Sequence, residues 1–371
     1  MGLFETLMSY VTPTTVAIYI LIHIATYIMC ISYGSRHIIN ADPALNKKYA
    51  PFARSDTHMW SIVTRFPFYV TFWPRFLTVC VIIVIYTLWS WTCMIGHVPG
   101  QPLSPIRRIL TKKPGQYLPR LLIFVGGVTW ISVVRPKISY KQWLGPDWEP
   151  TYENASTYVV NHQIWIDILV FMWWNLPSFV SKREVRKMPG VGKIAESIQS
   201  LFLDRGGTKE ENRKVIQQIS DRQKLSETGQ VPPLIVYPEG CTSNGKYLLP
   251  FKKGTFVGEN SIQPFAFQYY SPYINVSHDV MGDFAQFFLV LCTPYVTLTI
   301  KEFPVFKPNE YFWKHHHTEG SGKQRWEVFA EIIRGIIAES NNLILSDQSV
   351  PEKLEYRALL EGKTPPKTRR A

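Results

Sequence analysis

Cysteine is sparse in this sequence, and its five residues, Cys30, Cys80, Cys93, Cys241 and Cys292, form no CxxC pair. That argues against a disulfide scaffold or a zinc site, and free thiols suit a domain that faces the cytosol. Helix-turn-helix, zinc-finger and RNA-binding signatures are missing too, so nucleic acid is not an expected partner. Neither an internal repeat nor a low-complexity tract is present. Charge is absent from two long stretches, residues 14–33 and 76–97, which hold no Lys, Arg, Asp or Glu. About 20 helical residues at about 1.5 Å each cross a hydrocarbon core of about 30 Å. The first stretch lacks a basic leader and an AxA-like cleavage site, so it reads as an anchor.

What the chain does have is apolar and basic. It is 46% hydrophobic and 14% aromatic, which excludes a disordered chain, with a formal net charge of +12. Mean hydropathy is only −0.04, so apolar segments attached to a globular domain are expected. A basic balance suits an anionic membrane face or phosphorylated substrates. Basic groups cluster between the two apolar stretches (Arg36, Lys47, Lys48, Arg54, Arg65, Arg75) and again after them (Arg107, Arg108, Lys112, Lys113). Two ordinary crossings would put these clusters on opposite sides of a membrane, against the positive-inside rule. A re-entrant hairpin is therefore expected, with the basic loop and the following domain sharing the cytosolic side. A third apolar stretch, residues 121–134, is too short to span and reads as an interfacial or core element. The expected division is a membrane-anchoring region over 1–104, a catalytic domain over 105–362 and a disordered basic tail over 363–371.

From about Ser156 short β-rich runs alternate with helical patterns. STYVVN, PSFVS, SLFLD, PLIVYPE, IQPFAF and YVTLTI read as strands. Residues 164–174, 192–199, 209–225, 280–291 and 324–340 read as helices. This is an α/β layout, with a mixed sheet flanked by helices and preceded by transmembrane or re-entrant helices.

Four blocks in this region could carry chemistry. Asn161-His162 ends a strand, and Asp167 lies about one turn into the next helix. From there Asp167 could fold back to one imidazole nitrogen and fix its tautomer, leaving the other as a general base. The same pattern also suits a helix-start His beside an unrelated first-turn Asp, which the helix dipole favours. In the second block Phe202 precedes Arg205 and a Gly turn, where Arg205 could grip a phosphate or simply pair with Asp204. The third, Pro238-Glu239-Gly240, follows a strand and could meet substrate hydroxyls, or be an ordinary turn. The fourth, around Pro264, is a strand whose Pro suits an edge or first position. His315, His316 and His317 lack ligand spacing, and no metal is expected there.

In this order the four blocks resemble the PlsC-type glycerolipid acyltransferases, with their NHxxxxD, GxxFxxR, EGT-type and Pro-strand motifs. Gln199 stands at the family's Gly, and Cys241 at its Thr. The resemblance covers roughly residues 105 to 361. It implies that His162 deprotonates an acceptor hydroxyl that attacks an acyl-CoA thioester, and that Asp167 orients His162. It also implies substrate contacts from Arg205, Glu239 and Gly240, with Asn161, Lys182 and Pro264 as further candidates. Acyl-CoA would be a co-substrate, and no cofactor is expected. Residues 243–249 and 342–346 look like the lysophosphatidylcholine and lysophosphatidylethanolamine acyltransferase branch. A lysophospholipid acceptor, a bilayer and the endoplasmic reticulum are the implied surroundings. The runner-up acceptors are lysophosphatidic acid and glycerol-3-phosphate, and the non-enzyme alternative is an inactive lipid-binding membrane protein. No DxDxDG loop is present, so calcium control is not expected.

Orientation yields one test. Asn154-Ala155-Ser156 and Asn275-Val276-Ser277 are glycosylation sequons. On the cytosolic side both stay bare; an endoglycosidase-sensitive mass shift abolished by Asn154→Gln or Asn275→Gln would place the domain in the lumen.

Overall fold

The computed structural model describes residues 9–98, 101–203, 208–318 and 322–366, with Gly2, Glu5 and Gly320. Helix α1 (Pro13–Tyr27) opens with Thr12 and Thr15 in a reciprocal capping box and Pro13 in the first turn. It runs on as a π turn over Ile28–Tyr33. Segments Pro13–Tyr33 and Pro67–Cys93 are long and apolar enough to cross a membrane by length and composition.

Within the second of these, helix α2 (Phe72–Cys93) lies along the body of the protein. Its buried residues Phe72, Val79, Ile82, Tyr86, Ser90 and Cys93 form one stripe at helical spacing. At one end Phe72 packs edge-on against Phe284 with ring centroids 5.8 Å apart. At the other, the Ser197 hydroxyl donates to Ser90 at 3.4 Å. The opposite face exposes Leu77, Val81, Val84, Ile85 and Leu88.

The loop before α2 is clamped to the same body. Arg54 donates to Asp56 at 2.9 Å and, across the chain, to Asp279 at 2.9 Å. Arg75 donates to the carbonyls of Leu291 and Thr293, both at 2.9 Å. The Asn244 amide donates to the Ala50 and Ala53 carbonyls at 2.8 and 2.9 Å. The basic loop and the following domain are thus in contact. Arg54 and Arg75 are not free surface charge, however, but internal fasteners.

Helix α3 (Pro105–Val125) was missed in the sequence because Pro114 and Pro119 interrupt its pattern. Gly115 lets it approach closely: a Cβ there would sit 3.0 Å from Leu176 and 3.3 Å from the Tyr86 hydroxyl. The stretch 121–134, read as an interfacial or core element, is a core one. Its first part closes α3, and its last seven residues are strand β1 (Val128–Val134). Between them Gly127 turns the chain at φ +89°, where a Cβ would strike the Thr293 carbonyl.

The remaining elements follow as β2 (Thr157–Val160), α4 (Ile166–Trp174), β3 (Ser178–Lys182), α5 (Val191–Ser197), β4 (Leu201–Leu203), α6 (Lys209–Glu227), β5 (Leu234–Val236), β6 (Tyr247–Leu248), β7 (Ile262–Tyr270), α7 (Asp283–Leu291), β8 (Val296–Glu302), α8 (Arg325–Asn341), β9 (Ile344–Leu345) and α9 (Val350–Leu360). The main sheet runs β1-β8-β7-β2-β5-β3-β4. Its neighbours pair in parallel except β7 with β8. Every strand read from the sequence is present. Phe171 of α4 packs on Phe265 and Phe267 at 5.2 and 5.0 Å on one face. Phe329 of α8 stacks on Phe306 at 5.6 Å on the other. Both faces are therefore covered, and loops at the carboxyl ends of the parallel strands are left to carry side chains outward.

The Arg54 clamp gives a stability test. Arg54→Leu leaves Asp56 and Asp279 buried without their cation, at a cost of about 3–5 kcal/mol. Burial alone would raise the Asp56 carboxyl, but the charge and hydrogen bond of Arg54 hold it below the ordinary carboxylate range. That contribution is present above the unfolded value of about 4 and is lost as pH falls through the lower folded value. Thermal unfolding in detergent between pH 3 and 7 checks both statements. An unchanged melting temperature at neutral pH would show that the clamp carries no stability.

Candidate active site

Strand β2 ends at Val160, and Asn161 then acts as a stand-in for backbone. Its side chain accepts from Phe267 N–H at 2.8 Å and donates to the Phe267 carbonyl at 3.0 Å. This ties the chain to β7 as it leaves the sheet, so His162 emerges at the carboxyl edge in a fixed position. Asn161 is buried, and its polar atoms are occupied in that tie.

Asp167, the second residue of α4, is fully buried. One carboxylate oxygen accepts from His162 Nδ1 at 2.8 Å and from the N–H groups of Gln163 and Ile164 at 2.8 and 3.1 Å. The other accepts from the Tyr269 hydroxyl at 2.7 Å. A buried carboxylate is costly unless it is hydrogen-bonded, and these four donors supply the compensation. They also decide the imidazole. With Nδ1–H committed to Asp167, Nε2 is left with its lone pair. The His162 ring stacks on Tyr237 at 4.1 Å, and its side chain is 18% exposed. The arrangement is a held imidazole with one open nitrogen.

Glu239 braces the same residue from behind. One carboxylate oxygen accepts from His162 N–H at 2.7 Å, the other from Leu249 N–H at 2.9 Å. Burial pushes its carboxyl up to about 8, against the pull of those two N–H groups. Gly240 turns the chain at φ +74° and is exposed, with the Lys252 side chain where a Cβ would lie. The hydroxyl of Thr242 accepts from Lys353 at 2.7 Å and donates to the His278 carbonyl, so it is already occupied.

The structure thus brings Asn161, His162, Asp167, Glu239 and Gly240 together. Lys182 is exposed at the carboxyl end of β3, two strands from β2. Pro264 requires a correction: it lies in the central strand β7, buried, not at an edge. Its carbonyl accepts from Phe303 N–H at 3.2 Å, so its missing donor faces the end of β8, where little pairing is lost. By strand alternation it faces away from the side on which Phe265, Phe267 and Tyr269 meet α4, so it does not reach His162. Arg205 lies outside the described residues. His315, His316 and His317 turn to three different carbonyls, those of Tyr311, Gln142 and Lys323. Sequence reasoning missed Tyr237 and Tyr269. The available signal was the alternation of Phe265, Phe267 and Tyr269 on one strand face.

Against known proteins, the family model described as Acyltransferase matches residues 148–266. The lysophospholipid acyltransferase LPEAT1 of Arabidopsis thaliana is 26% identical over 362 residues, covering 86% of this chain and 88% of that protein. LPCAT4, a lysophospholipid acyltransferase of Xenopus tropicalis, is 28% identical, covering 52% of this chain and 34% of its own length. Lysophosphatidylcholine acyltransferase 2 of Mus musculus is 26% identical, covering 67% and 41%. The chain therefore spans well under half of the two vertebrate relatives. The crystal structure of the 1-acyl-sn-glycerophosphate acyltransferase PlsC from Thermotoga maritima aligns with a TM-score of 0.38 at 16% identity, over 71% of this chain and 96% of that one.

The bracing of His162 and Asp167 makes separable predictions. Tyr269→Phe removes one charge-assisted hydrogen bond, so kcat falls roughly 10- to 100-fold with little change in KM. Glu239→Gln sets an amide NH2 against a backbone N–H, so kcat and melting temperature fall together. A Glu239→Gln enzyme that lost only acceptor KM would show that Glu239 serves in substrate contact and not in positioning.

Proposed function

We propose, from the premise that the chain carries a PlsC-type acyltransferase domain and is an acyltransferase, that it moves a fatty acyl group from acyl-CoA to the free hydroxyl of a lysophospholipid. The observation that carries this reading is the 2.8 Å bond from His162 Nδ1 to Asp167, which leaves Nε2 open. Nε2 takes the proton of the acceptor hydroxyl as its oxygen attacks the thioester carbonyl. The carbon–sulfur bond then breaks, and the leaving thiolate recovers that proton from the imidazolium, which Asp167 has stabilised meanwhile. No protein nucleophile is required, because the acceptor brings its own hydroxyl.

Arg205 and Lys182 are assigned to the phosphate of the acceptor, and Gly240 to close approach of its glycerol part. Exposed apolar residues on α1 and α2 support a membrane setting. Residence in the endoplasmic reticulum with the catalytic domain facing the cytosol fits the supply of acyl-CoA. Similarity to lysophosphatidylcholine acyltransferase 2 of Mus musculus favours zwitterionic lysophospholipid acceptors over lysophosphatidic acid or glycerol-3-phosphate.

One assay tests both levels. Initial rates are measured with a single labelled acyl-CoA across zwitterionic lysophospholipids, lysophosphatidic acid and glycerol-3-phosphate in matched detergent. Zwitterionic lysophospholipids are expected to be fastest, and His162→Ala should cost roughly 10²- to 10⁴-fold. A clear preference for lysophosphatidic acid rejects the acceptor class. Wild-type turnover in folded His162→Ala rejects the mechanism.

A further inference from the structure

The sheet has a second open end. Strands β2, β3 and β5 enter it from the edge opposite His162, and two cavities lie there. One, of about 400 Å³, includes Arg108, Lys112 and Tyr158; the other, of about 390 Å³, includes Met94, Ser200 and Arg222. They adjoin, sharing Gln199 and Val231. Tyr158 of β2 is four residues before His162 along an extended strand, so this end is distinct from the catalytic one.

The second cavity holds an unmet charge. Arg222 donates from Nη2 to the Ser178 hydroxyl at 2.7 Å and to the Gln199 carbonyl at 3.3 Å. Its Nε is buried without a partner, as is the Ser200 hydroxyl. Among the described residues no carboxylate pairs with Arg222. The carboxylate in the lining, Glu196, is already held by Arg186 at 2.6 Å and Lys193 at 2.9 Å. Burial and the charge of Arg108 together push the Arg222 guanidinium down to about 10. A buried guanidinium with a free donor and a like charge nearby is costly unless something neutralises it. The wall itself is strained: Gln199 holds φ +57°, where a residue with a side chain is uncommon.

Exposed apolar side chains stand beside this cavity in the chain: Ile95 and Val98, next to the lining residues Met94 and His97, are 58% and 65% exposed. A cationic cavity at the end of the apolar helix α2, beside exposed aliphatic side chains, matches a molecule with an anionic head and apolar tails.

We propose that this cavity is a second lipid site, separate from the catalytic one, which takes the phosphate of an anionic membrane phospholipid against Arg222 and Ser200 while its acyl chains leave past Ile95 and Val98. The lipid supplies the missing counter-charge and ties the far edge of the sheet to the bilayer.

The test uses the full chain in neutral detergent, with melting temperature as the readout, so it does not depend on acyl transfer. Short-chain dihexanoyl phosphatidylglycerol is expected to raise the wild-type melting temperature by on the order of 3 °C at saturation, and dihexanoyl phosphatidylcholine by much less. Arg222→Met should abolish the phosphatidylglycerol shift, and Arg222→Lys should keep part of it. Should Arg222→Met not fold, Ser200→Ala removes only the unpartnered hydroxyl and should reduce the shift. An equal shift in wild type and in the folded variants overturns the proposal. An Arg222-dependent shift of the same size with inorganic phosphate overturns the lipid occupant and assigns the cavity to free phosphate. A selective rise in acceptor KM in Arg222→Met would make the cavity part of the acceptor site and overturn its separateness.

Discussion

A buried carboxylate with four donors governs the active end of this protein. Asp167 has no access to water, so its charge survives only because two backbone N–H groups, a tyrosine hydroxyl and an imidazole point at it. The donors and the carboxylate come from three parts of the fold. The N–H groups belong to the chain leaving β2, the hydroxyl to β7 and the carboxylate to the first turn of α4. Three elements must close together before the carboxylate is satisfied. The same closure sets the tautomer of His162, so satisfying the carboxylate and orienting the imidazole are one event.

The second constraint works from the other side of the histidine. Asn161 fastens the chain to β7, and Glu239 takes the His162 N–H while also holding Leu249. The imidazole is thus positioned by its own backbone as well as by its ring. Glu239 shares one consequence with Asp167: a carboxyl buried this deeply is useful only where both oxygens are occupied. Its two N–H bonds therefore explain why a carboxylate follows β5 more directly than a substrate contact does.

Much of this was legible in the sequence, and the gaps have physical reasons. The strands were readable because β-branched and aromatic residues stand in short runs between turn residues, as in STYVVN and YVTLTI. His162 and Asp167 were readable because a strand-to-helix junction gives that spacing a chemical meaning. Helix α3 was hidden because Pro114 and Pro119 speak locally against a helix, while its packing on α2 and α4 overrides them. Strand β1 was hidden because it is fused to that helix in one apolar stretch and pairs with β8, far along the chain. The clamp made by Arg54 was hidden for a related reason. Its partners Asp56 and Asp279 are 2 and 225 residues away, and only the folded chain shows that the second is there. Long-range pairing leaves no local pattern to read. The same holds for Tyr269, whose hydroxyl meets a carboxylate 102 residues earlier.

Gln199 shows how a departure from the family pattern can be absorbed. The resemblance places a glycine there, and the backbone still takes the left-handed conformation that favours one. The local turn is retained although the residue that makes it inexpensive is gone. What the side chain gains in exchange is position: it joins the wall between the two cavities, and its carbonyl meets Arg222. At the same edge α2 ends, and the loop into α3 exposes aliphatic residues beside Arg108. The sheet therefore separates two environments along one set of strands. Its carboxyl edge holds a hydrogen-bonded carboxylate and an open imidazole nitrogen, and its amino edge holds a guanidinium with no carboxylate partner among the described residues.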